Sequence, residues 1–179
     1  MNSLKYKIKK LIGRGPKYGF FGFYDSWQDA LEASTGWGSA NVLEKVSAAL
    51  QKVKNNEAVY ERDSVLFDKI QYSWPLLALL LRVAIENDNI LRVADFGGSL
   101  GTTYFQNREF LTSLKKVEWN IIEQPNYVDC GKKYFENEEL RFFPDLQSCL
   151  DKAKPNALIV SSVIQYLRDP FAMIKKFLE

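Results

Sequence analysis

The sequence contains no histidine, and that absence removes a set of chemistries at once. Without imidazole there is no histidine general base, no Cys-His nucleophile pair and no zinc-finger spacing of cysteines with histidines. Cysteine is almost as scarce. Cys130 and Cys149 read as small packing residues and not as a disulfide, because no signal peptide points to an oxidising compartment and the composition is that of a reducing, cytoplasmic chain. An excess of one charge is also missing: 24 basic against 22 acidic side chains leave a formal charge of +2. That is too small to imply a nucleic-acid partner from bulk electrostatics. The longest apolar stretch, Pro75 to Ile85, is broken by Arg82 and is far shorter than the roughly 20 residues of a transmembrane helix. Internal repeats and low-complexity segments are lacking too.

What is present is a chain of 179 residues, 46% apolar and 26% charged. That balance supports one folded domain with a sizeable core, or a core plus a helical extension. Residues 1–12 interleave lysines with Leu4, Ile8, Leu11 and Ile12, an arrangement that puts the apolar groups on one helical face and suits a helix docked on its own domain or a frayed basic terminus better than contact with an anionic membrane surface. Gly13-Arg14-Gly15-Pro16 ends any helix there. Tyr18 to Asp25 alternates aromatics with glycines, as an extended segment would.

Ser26-Trp27-Gln28-Asp29 has the spacing of a capped helix start, predicting a short helix through Ala33, and Asn41-Val42-Leu43-Glu44 repeats it before a buried stripe at Val42, Val46, Ala49, Leu50 and Val53. Residues 60–75 are too dense in polar and aromatic groups for a simple amphipathic helix and read as pocket lining. Ser73 is the expected cap of a helix from Trp74 to about Asn87, with Pro75 in its first turn. Apolar nearly all round from Leu76 to Ile85, that helix is expected to be sandwiched.

From residue 90 the pattern changes. Leu91–Phe96, Val117–Ile122, Leu140–Phe143 and Ala157–Val160 are short apolar runs separated by segments long enough for crossover helices. They predict an α/β parallel sheet. Where the first strand ends stands Asp95-Phe96-Gly97-Gly98-Ser99-Leu100-Gly101, at the kind of turn where ligands meet the carboxyl ends of parallel strands. Counted from Gly97, the glycines miss the G-x-G-x-x-G order of a dinucleotide site at its third and sixth places. Glu123 ends the second strand, followed by Gln124 and Pro125. A carboxylate there can accept hydrogen bonds from ribose hydroxyls. The fourth strand runs into Ser161 and Ser162, then Gln165, Tyr166 and Asp169-Pro170.

The Asp95–Gly101 segment after a strand resembles the first motif of class I S-adenosylmethionine-dependent methyltransferases, with Ser99 in place of the usual middle glycine. The stretches Gly19–Gly22, Tyr60–Phe67, Ile70–Pro75, Asp95–Gly101 and Asn120–Pro125 together resemble a bacterial family of such proteins linked to surface-polysaccharide gene clusters. The resemblance implies a Rossmann-like core over residues 89–179, with only the first half of the sheet (about four strands, ordered 3-2-1-4), and an N-terminal helical cap region over residues 1–88. It implies S-adenosylmethionine as cofactor, with Asp95, Gly97, Gly98, Ser99, Gly101, Glu123, Gln124, Ser161 and Ser162 around it. The implied reaction is methyl transfer to an unassigned acceptor, a saccharide or related small molecule. Gln165 stands where relatives often carry histidine, so a base has to come from groups such as Asp63, Tyr72 or Tyr166, and none of these is singled out. The competing expectation is a non-catalytic nucleoside-binding or partner-binding module, since the chain ends inside the helix after strand four. A nicotinamide-dependent oxidoreductase ranks third. An apolar fourth strand left at the sheet edge predicts a homo-oligomer.

Overall fold

The computed structural model describes residues 22–34, 36 and 40–178. The expected helix over 1–12, the loop at 13–16 and residues 18–21 of the aromatic-glycine segment lie outside the described residues. The chain divides into two units, Met1–Gly36 and Trp37–Glu179. In the first, α1 (Trp27–Glu32) starts at Ser26, whose hydroxyl accepts from the Asp29 amide at 3.1 Å. That bond satisfies one of the orphan donors of the first turn, as the sequence predicts.

The second unit opens with α2 (Ala40–Lys54), a hairpin of β1 (Tyr60–Arg62) and β2 (Val65–Phe67), and α3 (Trp74–Glu86). It continues through β3 (Ile90–Phe96), α4 (Thr102–Leu111), β4 (Lys116–Ile122), α5 (Pro125–Tyr134), β5 (Leu140–Phe143), α6 (Leu146–Ala153), β6 (Ala157–Val160) and α7 (Pro170–Leu178). Strands β3 to β6 form one parallel sheet ordered β5-β4-β3-β6. The fold is α/β, and both the four strands and their order match the sequence reading.

Alternate residues of each strand face opposite layers. Leu91, Val93, Trp119, Ile121 and Phe142 are buried against α2, α3, α4 and α5, where Leu50, Leu80, Phe105 and Val128 meet them. Ala94, Ile122 and Phe143 face Cys149 and Ala153 of α6, and Phe96 meets Phe177 of α7 edge-on at 5.1 Å. Each large side chain so removed from water contributes roughly 1.5–3 kcal/mol. The two cysteines pack on opposite faces of the sheet, Cys130 beside the first layer and Cys149 in the second. Among the described residues no helix is long and apolar enough to cross a membrane.

Three local expectations need correction. Asn41 is not a cap: it lies inside α2, which already runs at Ala40. Ser73 occupies the N-cap position of α3, but its side chain makes no capping bond. That helix is not sandwiched, because Leu77, Leu80 and Ala84 are buried while Leu79 and Ile85 are 61% and 70% exposed. Residues 60–67, to which the sequence reading assigns no element, form the β1–β2 hairpin. Its turn residues Asp63 (φ 52°) and Ser64 (φ 69°) are both left-handed, a conformation that two-residue hairpins usually fill with Asn-Gly.

Candidate functional site at the carboxyl rim of the sheet

The order β5-β4-β3-β6 makes β3 the strand at which the chain reverses direction across the sheet: β4 and β5 extend one way, and β6 returns to the other flank. Open α/β sheets bind ligands in the crevice at such a switch point, outside the carboxyl ends of the strands. Phe96 pairs with Ile122 on one side and Val160 on the other. The next residues, Gly97, Glu123 and Ser161, therefore share one rim. The structure thus brings together the loop 97–101, the Glu123-Gln124 corner and Ser161-Ser162, three segments far apart in sequence.

The loop is unusual in its backbone. Gly97 (φ 74°), Ser99 (φ 56°) and Gly101 (φ 99°) all lie in the left-handed region, as does Ser162 (φ 55°) across the crevice. Left-handed serines carry a steric penalty that glycine avoids, and such strain clusters at ligand sites. Each glycine is also required by the protein's own packing. A Cβ on Gly97 would lie 2.6 Å from Val163 Cγ2, and one on Gly98 would lie 2.6 Å from Asp95 Cγ. Gly101 is buried and starts α4 from the N-cap position, and a Cβ there would meet Leu140 Cδ2 at 3.2 Å. At Gly101 smallness serves the helix start and the core. Gly97, Gly98 and Ser99 are the half-exposed part of the loop.

Asp95 lies beneath the loop at 2% exposure, accepting from the indole Nε1 of Trp119 at 3.0 Å. Burial pushes its carboxyl up to about 7; the Trp119 bond opposes the shift and the nearby Glu123 adds to it. Glu123 binds the loop directly. Its Oε1 accepts from the Ser99 amide at 3.2 Å and its Oε2 from the Gln124 amide at 2.8 Å. Burial raises its pKa as well, against those two bonds. Gln124 follows at the exposed N-cap position of α5, and Ser161 and Ser162 are exposed on the far side of the crevice. Gln165 donates from Nε2 to the Ser162 carbonyl at 2.8 Å, which bridges that loop back on itself.

Two contributors escaped the sequence reading. Glu61 is 1% exposed and holds the start of α4, accepting from the Thr102 hydroxyl and, at 3.1 Å, from the Ser64 amide. Its pKa is raised, chiefly by burial. Val163 covers Gly97. Glu61 stands in the largely polar run Tyr60-Glu61-Arg62-Asp63-Ser64, a setting that does not separate a buried acid from a solvated one. Of the groups considered as bases, Asp63 is exposed at the hairpin turn, Tyr72 stacks at 4.9 Å on Trp74 in an aromatic cluster with Phe110, and Tyr166 lies in the turn after Ser162. The structure does not bring these three together. Among the described residues no cluster of His, Cys, Asp and Glu could hold a metal ion.

The electrostatics of the rim are one-sided. Asp95, Glu123 and Glu61 are raised by burial, and the ion pairs among the described residues, Arg82–Glu86, Arg92–Glu118 and Lys116–Glu118, all lie elsewhere. The Ser99 amide, which in a phosphate-binding loop would face an anion, is taken by Glu123. The chain matches no protein-family model, no curated protein and no solved structure.

Proposed function

We propose that the rim site binds S-adenosylmethionine and that the protein is a methyltransferase acting on a small-molecule acceptor, a saccharide or a related compound. The observation that carries this reading is the pair Asp95 and Glu123, two carboxylates raised by burial and without a cationic partner among the described residues, set on a Gly-rich loop at the switch point. A buried charge is costly unless it is paired, so these two acids favour a cationic ligand. S-adenosylmethionine brings a sulfonium and an ammonium; the pyrophosphate of a dinucleotide brings negative charge to a loop whose Ser99 amide already serves Glu123.

The chain's own residues would divide the work as follows. Glu123 keeps lone pairs beyond its two amide bonds, enough to accept from both ribose hydroxyls. Asp95 sets the loop from below, and Val163 over Gly97 supplies an apolar wall. Ser161, Ser162 and Gln124 offer polar groups on the open sides. When bound, the sulfonium supplies the reactivity. What the protein adds is in-line positioning and exclusion of water.

A second reading keeps the nucleoside site without catalysis. It is favoured by β6, which among the described residues is hydrogen-bonded on one flank and can add a strand from a partner. Isothermal titration with S-adenosylmethionine, S-adenosylhomocysteine and NAD separates the readings. Binding of the first two without NAD supports the proposal, and methyl transfer to a sugar panel then separates enzyme from binding module. NAD binding alone would overturn it.

A further inference from the structure

The β1–β2 hairpin is poorly supported by itself. A two-stranded hairpin is marginal in water, and its turn places two non-glycine residues, Asp63 and Ser64, in the left-handed region. Tyr60, 4% exposed and packed on Phe67 at 5.8 Å, anchors one face. Glu61, on the other face, does two things at once. It accepts the Ser64 amide of the strained turn and the hydroxyl of Thr102, the first residue of α4 directly after the rim loop. The partial positive charge of that helix end suits a carboxylate. An apolar residue would fill the same position without the desolvation cost, so the acid is there for these two bonds.

We infer that Glu61 is a positioning residue that locks the hairpin turn onto the start of α4, making the hairpin a wall of the rim site whose order is coupled to occupancy of that site. The coupling rests on the cofactor reading; the lock does not. The hairpin's second strand leaves Val65 and Leu66 54% and 41% exposed.

Hydrogen exchange on the full chain tests both parts. Loss of a charge-assisted bond of roughly 1.5–3 kcal/mol corresponds to at least about tenfold faster local exchange. In Glu61→Ala, the Ser64 amide and the first-turn amides of α4 exchange at least about tenfold faster, while β5 and α6 keep wild-type rates. Glu61→Gln restores most of the protection, since its carbonyl accepts from Ser64 and its amide donates to the Thr102 oxygen. Thr102→Val, which removes only the hydroxyl, loosens the hairpin without the burden of an altered Glu61 and serves if Glu61→Ala does not fold. S-adenosylhomocysteine protects rim and hairpin amides together in the wild type, but the rim alone in Glu61→Ala. Unchanged Ser64 and α4 exchange in the ligand-free variants would overturn the lock. Rim protection without hairpin protection in the wild type would overturn the coupling, whereas no binding of S-adenosylhomocysteine at all would refute the cofactor reading and with it the coupling, leaving the lock to the ligand-free comparison.

Discussion

Trp119 and Asp95 share one buried hydrogen bond, indole Nε1 to Oδ2 at 3.0 Å, directly beneath the rim loop. The donor is neutral, so it moderates the desolvation of the carboxyl without cancelling its charge. The carboxyl therefore stays near half-protonation at neutral pH, pushed up to about 7.

That shift sets the sign of a pH effect on stability. The folded state retains a proton on Asp95 that the unfolded chain releases in the ordinary carboxylate range. Its contribution is therefore full at low pH and declines as pH rises toward about 7. Glu61 and Glu123, also raised, slope the same way. Thermal melts should show a larger drop in Tm from about pH 5 to about pH 8 for the wild type than for Asp95→Asn. Parallel curves for the two proteins would refute the raised pKa.

A cation arriving at the rim favours the ionised form of Asp95, so binding expels a proton. Affinity for S-adenosylmethionine should rise from about pH 6 to about pH 8. Titration heats in two buffers of different ionisation enthalpy should report the released proton, and Asp95→Asn should abolish the buffer difference. Equal heats in both buffers for the wild type would count against the charge argument.

Glu123→Ala removes a charged acceptor and the support of the Ser99 amide together. A loss of roughly 1–3 kcal/mol in affinity for S-adenosylhomocysteine is expected. Calorimetry showing unchanged affinity would remove Glu123 from the site.

Gly98 and Gly101 should fail differently. Gly98→Ala pushes its Cβ into the Asp95 carboxyl, so the half-exposed loop must shift. Cofactor affinity should drop about tenfold or more, with a modest loss of Tm. Gly101→Val combines a β-branched side chain with φ 99° and a contact on Leu140; at about 1–2 kcal/mol for the backbone alone, its main effect should be a lower melting temperature. If Gly101→Val melts like the wild type, the account of that helix start is wrong.

Among the described residues β6 is unpaired on one edge, and Leu158 on it is 41% exposed. Sedimentation velocity at several concentrations should show self-association, reduced in Leu158→Lys because a charged edge resists pairing. A monomer at every concentration would show that this edge is not used.

The sheet was legible because its strands are apolar runs between long spacers, a pattern that parallel strands covered on both faces impose. Asp95, Gly97, Gly98, Glu123 and the serines were legible because they fall at strand ends. The hairpin was not, since Asp63-Ser64 lacks the usual turn glycine and is held by Glu61, whose bond to Thr102 joins residues 41 apart. The exposed face of α3 was hidden for a different reason. Leu79 and Ile85 carry the same apolar signal as Leu80 and Ala84, and composition cannot say which side of such a helix finds a neighbour. At Gly101 the strand-end glycine is legible, whereas its packing against Leu140, 39 residues on, is not.

Asn156, just before β6, imitates one more residue of strand pairing. Its Oδ1 accepts from the Arg92 amide at 2.8 Å, its Nδ2 donates to the Ile90 carbonyl at 2.9 Å, and its own amide donates to the Arg92 carbonyl at 2.9 Å. Parallel pairing of β6 with β3 closes a long stretch of chain, an entropically slow event in folding. When the strand arrives it can dock in several alignments, and a shift of one residue would turn its apolar side chains to the wrong layer. Asn156 works as an end-stop for that arrival: one alignment makes all three bonds, and in that alignment Val163 comes to rest over Gly97. The strand that closes the longest stretch of chain thus carries its own gauge, and the rim is complete only when that pairing is made.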